Sequence, residues 1–130
     1  MAKYVPLLGT LVLIGRVVQV ILGSQGASDV SGLRDMHMTV GIVGLILVVI
    51  LAGLAFKVKT STMYSKAAMS VLTVVVIVQV GLGFQVLSGA EMLVTSHEAT
   101  GFLAVLLALL TGGITFWNSR KTTRHAQQIA

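Results

Sequence analysis

Four long apolar stretches divide the chain, at Val5–Ser24, Met36–Phe56, Ala67–Ser88 and Ser96–Trp117, with short polar connections between them. A helix needs about 20 mostly apolar residues to cross a bilayer, and a membrane strand about half that number. Each stretch has the helical length, so the pattern predicts an all-α integral membrane protein. Pro6 stands at the start of the first stretch, where a helix tolerates it. Lys3 followed by apolar residues resembles a signal peptide. Arg16 interrupts that stretch, however, and the stretch has a repeat partner later in the chain. It is therefore read as a retained span.

Composition narrows the class. Of 130 residues, 55% are hydrophobic and only 10% are charged, and the mean hydropathy is +0.96. A soluble domain carries about 25% charged residues, so an ordinary soluble enzyme is excluded. The pI near 10.1 does not indicate a nucleic-acid partner. The nine Lys and Arg lie at helix ends and at one intramembrane position, whereas a nucleic-acid binder gathers them on one face. The absence of cysteine excludes disulfides, thiolate metal sites, iron–sulfur clusters and CxxCH haem attachment.

The charges are segregated. Lys3, Lys57, Lys59, Lys66, Arg120, Lys121 and Arg124 fall on one side of the four spans. Arg34, Asp29, Asp35, Glu91 and Glu98 fall on the other. By the positive-inside rule both termini are expected in the cytoplasm, with residues 118–130 as a polar cytoplasmic tail that includes His125. Tyr4, Tyr64 and Trp117 mark the inner interface.

Shifted by sixty residues, the chain matches itself without gaps. Val18-Gln19-Val20 meets Val78-Gln79-Val80, Leu22-Gly23 meets Leu82-Gly83, and Gln25 meets Gln85. His37 meets His97 and Gly41 meets Gly101. Composition makes apolar helices look alike, but it does not align Gln and His. The match predicts one domain over residues 1–130, built from duplicated helical hairpins at about 10–56 and 70–116. Two such hairpins in one orientation form a four-helix transmembrane bundle, up-down-up-down. Spans two and four then run parallel, with His37 and His97 at equal depth near their outer ends.

A histidine inside a membrane span points to function, and two at one level suggest a shared ligand. Residues four and seven places on share the face of each histidine. These are Gly41 and Gly44 after His37, and Gly101 and Ala104 after His97. Small residues permit close helix packing, but diagonal helices do not normally touch, so a flat ligand over the glycines is the expectation. Bis-histidine haem fits, with His37 and His97 as axial ligands to the iron. Zinc usually takes three or four protein ligands, and only Glu98 stands near as a third. Without CxxCH the haem is non-covalent, haem b, with haem O or haem A as alternatives.

Other residues are candidates for the cofactor's surroundings. Arg34, one turn before His37, faces two readings: a partner for a haem carboxylate, or a solvated charge near Asp35. Arg16 lies deep in span one, where a charge costs at least about 2.5–3.5 kcal/mol on insertion scales. Its repeat counterpart is Val76. A haem carboxylate, a bound quinone or a wet cavity could receive it. Gln19 and Gln79 are placed to join helices or to reach the cofactor edge. Gly23 and Gly83 share their faces and leave room there.

The helical layout, with one His on the second helix and one on the fourth, resembles the repeating unit of haem A synthase. Val18–Ser24 followed by His37 is similar to its first hairpin, and Val78–Gly83 followed by His97 to its second. The resemblance covers about residues 10–117. It implies a half-length form, which a homodimer would complete to eight helices. The family carries a glutamate three residues before a haem histidine; here those positions are Arg34 and Val94.

Three functions follow as expectations. The first is a membrane b-type cytochrome carrying single electrons near the outer face, served by a quinol or a respiratory-chain partner. The second is haem A synthase-like oxidation of haem O, an oxidoreductase reading that the missing glutamate weakens. The third is a small transporter or assembly subunit without haem.

Overall fold

The computed structural model describes the backbone of residues 5–26, 31–58 and 61–129, and side chains within 7–25, 32–58 and 61–117. Four helices form: α1 (Val5–Gly26), α2 (Ser31–Lys57), α3 (Met63–Leu87) and α4 (Val94–Ile129). All four are long and apolar enough to cross a membrane. The chain is an all-α, multi-pass membrane protein with a four-helix bundle. Lys3, Tyr4, Asp29 and Lys59, and the side chains of Arg120, Lys121, Arg124 and His125, lie outside the described residues.

The helices overrun the apolar stretches at several ends. α2 begins at Ser31 and α3 at Met63, ahead of the expected Met36 and Ala67. Backbone hydrogen bonding does not stop where hydropathy drops. Polar residues continue a helix into the interface and add the turn that hydropathy alone leaves out. α4 likewise runs through the polar tail to Ile129.

Local signals set the α3 boundaries. Thr62 caps its N-terminus, its side chain accepting a hydrogen bond from the Ser65 N–H at 3.2 Å. At the other end Gly89 adopts a φ of 101°. There the Ala90 N–H donates to the Gln85 carbonyl and the Gly89 N–H to that of Val86, both at 3.0 Å. This is the Schellman arrangement, which favours glycine at the left-handed position. A single 3-10 turn, Glu91–Leu93, then redirects the chain into α4.

Each helix packs on its sequence neighbours, and α1 also packs on α4. α1 and α3 do not approach one another closely, nor do α2 and α4. The cyclic order is therefore α1-α2-α3-α4, with the histidine-bearing helices diagonal. Val12, Val48, Leu51, Ala55, Met69, Leu72, Val76, Ala104 and Ala108 form the buried core. Ile14, Ile21, Ile46, Ile77, Leu106 and other large apolar residues face outward. In water such a surface would drive aggregation; in lipid it is the solvated face.

The core occupies only part of the bundle's length. Going from the histidines along α2 and α4, the chain passes first Gly41 and Gly101, then Gly44 and Ala104, then Val48 and Ala108. Over them from α1 and α3 lie Gln19 at Gly41, Gln79 at Gly101 and Arg16 at Gly44, while Val12, Val76 and Leu72 belong to the buried core. A polar layer thus separates the histidines from the apolar core.

Candidate functional site: two histidines across the bundle

The rings of His37 and His97 meet across the diagonal, with centroids 5.8 Å apart and planes at 77°. Both side chains are half-buried. Helices whose backbones stay apart are thus bridged by the reach of two imidazoles.

Each ring is fixed by its own hairpin. His37 Nδ1 lies 3.0 Å from the Gln19 carbonyl oxygen, and His97 Nδ1 lies 3.1 Å from that of Gln79. A carbonyl only accepts, so Nδ1 carries the proton in both rings. In the neutral imidazole Nε2 then keeps its lone pair, the state of a metal ligand. The backbone carbonyl orients the ring, as the outer partner of a metal-bound histidine does.

The glycines explain how the rings fit. A Cβ on Gly23 would lie 2.9 Å from His37 Cε1, and one on Gly83 would lie 3.0 Å from His97 Cε1. Both separations are too short for a carbon contact, so each imidazole lies directly against helix backbone.

The inner glycines hold polar side chains in this structure, rather than the open face expected from the sequence. A Cβ on Gly41 would meet Gln19 Nε2 at 2.7 Å, and one on Gly101 would meet Gln79 Nε2 at 3.0 Å. Gly44 faces Arg16, whose Nη2 would lie 3.3 Å from a Cβ there. The physical reason is polarity. Amides and a guanidinium cannot face lipid cheaply, so they fold over the backbone that offers room.

The two glutamines differ in their outer partners. Gln19 Nε2 donates to the His37 carbonyl at 2.8 Å and stands 3.4 Å from His37 Nε2. Its Oε1 is buried without a hydrogen-bond partner. Gln79 Oε1 instead accepts from the Thr100 hydroxyl. Hydropathy and the histidine pattern do not single out Thr100. Its signal is the repeat: position 40 is Val where position 100 is Thr.

Arg16 is 4% exposed, and its Nη2 is buried without a partner. Arg34 stands exposed one turn ahead of His37, away from the buried layer. Val94 and Glu98 are also exposed. Among the described residues no group of three or more His, Cys, Asp or Glu could hold a metal ion, so Glu98 does not complete a zinc site. A shallow apolar groove between Tyr64 and Trp117 lies at the opposite end of the bundle.

No family model, curated protein or solved structure matches this chain.

Proposed function

We propose that the protein is a membrane b-type cytochrome, with one haem held between His37 and His97 and single electrons carried near the outer membrane face. The observation that supports this reading most is the pair of imidazoles 5.8 Å apart, each with Nδ1 committed to a backbone carbonyl. A metal–imidazole bond of about 2 Å on each side puts two ring centroids about 6 Å apart. The centroid spacing therefore matches what an iron taking one neutral nitrogen from each ring would require.

The surroundings fit as well. What lies over Gly41 and Gly101 is the far end of Gln19 and Gln79, not backbone. Such side chains can move aside for a ring. Gly23 and Gly83 hold the imidazoles in place from behind. When bound, the haem supplies one-electron redox chemistry. Were His37 and His97 both to hold the iron, electron transfer would be favoured over oxygen binding.

The charge segregation supports cytoplasmic termini and a haem site towards the outside. A quinol or another respiratory-chain component is the matching class of redox partner, and a homodimer would restore the eight helices of haem A synthase. The exposed Arg34 and Val94 replace the carboxylate expected of that enzyme, so electron transfer is the better reading.

The test is the visible spectrum of detergent-purified protein, oxidised and dithionite-reduced, with pyridine haemochrome identification. A low-spin haem b spectrum is expected. His37→Ala and His97→Ala should each lower haem content or shift retained haem towards high spin. Bound haem A, or an oxidised haem O product, would favour the synthase reading. No Soret band after haem supply would refute both.

A further inference from the structure

Arg16 has no role in holding the histidines, yet it is buried in the second layer beneath them, one turn below Gln19. We infer that its buried positive charge makes the histidine site electron-attracting, raising the midpoint potential of the group held there. This rests on the haem reading. The step concerned is the gain of one electron by ferric iron to give ferrous iron, with no bond formed or broken. The electron comes from a reduced carrier of the quinol class.

Burial is the first part of the argument. Arg16 is 4% exposed and its Nη2 lacks a hydrogen-bond partner. A guanidinium keeps its charge in a protein, and a charge in a low-dielectric interior acts over longer range than one in water. Salt does not screen it well. The described acids do not offset it, because Asp35, Glu91 and Glu98 are all exposed.

Position is the second part. Arg16 lies one turn from Gln19, the residue whose carbonyl holds His37. Its Nη2 is directed at Gly44, on the same helix as His37 and two turns further in. A positive charge there stabilises whichever state of the site carries one more electron.

The repeat supplies the third part. The second hairpin has Val76 and Ala104 at these two positions, both 0% exposed. Val against Ala packs the same layer without charge. The first hairpin has Arg against Gly, and a Cβ at Gly44 would crowd the guanidinium. Both positions change together and the volume is conserved, so the fold does not require the arginine. An uncompensated charge in the membrane is costly, and an effect on the bound group accounts for it.

The experiment is potentiometric titration of the haem-loaded protein. Arg16→Val combined with Gly44→Ala turns this layer into a copy of the second hairpin, which already folds that way. The double variant should bind haem at wild-type stoichiometry, with a lower midpoint potential. Arg16→Lys should keep the potential near the wild-type value. Arg34→Gln, which removes an exposed charge, should shift it much less, and that smaller shift should shrink further in high salt. Unfolding of the haem-free double variant should be no easier than for wild type. An unchanged potential in a fully loaded double variant overturns the inference. So does loss of haem in the double variant that Arg16→Lys avoids, because Arg16 would then anchor the haem rather than tune it. Wild-type protein that takes up no haem would instead overturn the cytochrome reading itself, a distinct result.

Discussion

The α1–α2 hairpin and the α3–α4 hairpin hold their histidines alike and diverge one layer below. Nδ1 meets a glutamine carbonyl in both, at 3.0 and 3.1 Å, and a glycine backs each ring. Beneath them, the second hairpin is resolved. Gln79 has Thr100 as a partner, and Val76 and Ala104 both lie in the buried core. The first hairpin leaves Arg16 Nη2 and Gln19 Oε1 without partners. The shared features fix the two imidazoles, and the divergent ones set the electrostatics around them. Among the described residues, one hairpin has its buried polar groups satisfied, while the other keeps two that are not.

The comparison breaks most visibly at the histidines. Loss of either imidazole should abolish low-spin haem, because neither hairpin can replace the other's ligand. The next effect is at the backing glycines. Gly23→Ala and Gly83→Ala should each destabilise the protein by about 1–3 kcal/mol through overpacking, since the new Cβ would meet an imidazole carbon. Gly53→Ala and Gly113→Ala are the paired controls. Nothing lies within 4 Å of a Cβ at either, so helix propensity should make them stabilising by about 0.5–1 kcal/mol. Reversible unfolding in mixed micelles measures all four. Equal effects at all four positions would show that the imidazoles are not held against the backbone at Gly23 and Gly83.

Much of this is legible in the sequence. Four spans follow from hydropathy, because a bilayer imposes a length on every helix that crosses it. The ungapped repeat at His37 and His97 brings two imidazoles to one level. What the glycines do was less legible. A small residue announces room but not its occupant, so the faces of Gly41, Gly44 and Gly101 read as open when Gln19, Arg16 and Gln79 lie over them. The backing role of Gly23 and Gly83 was hidden for the same reason. Thr100 escaped notice because a threonine near a helix start commonly bonds its own backbone, and it does also reach the Ser96 carbonyl at 2.9 Å. Only its contact with Gln79 separates it from that ordinary role.

Thr100 gives a sharper test of the divergence. Thr100→Val makes the second hairpin resemble the first by leaving Gln79 Oε1 without its donor. An unsatisfied buried acceptor costs about 1–3 kcal/mol, and the lower part of that range is expected because the hydroxyl shares its one proton with nearby carbonyls. Haem binding should survive, since the His97 Nδ1 bond to the Gln79 backbone is untouched. Loss of haem would mean that the glutamine side chain, and not its carbonyl, sets the position of His97.

The converse change has the smallest effect. Val40→Thr gives the first hairpin the donor that it lacks, at the position where Thr100 serves Gln79. A net gain of about 0.5–1 kcal/mol is expected from one hydrogen bond to Gln19 Oε1. It is limited because the new hydroxyl is also drawn to its own helix backbone. A double-mutant cycle with Gln19→Leu isolates the contact. Favourable coupling between positions 19 and 40 would show that Gln19 Oε1 lacks a donor in the natural protein. Zero coupling with no gain from Val40→Thr would mean that the new hydroxyl stays on its own helix backbone, or that Gln19 Oε1 is already bonded to water in a wet polar layer. In a wet layer the Arg16 charge would be partly screened, so the size of this small coupling bears directly on how far that charge is felt at the histidines.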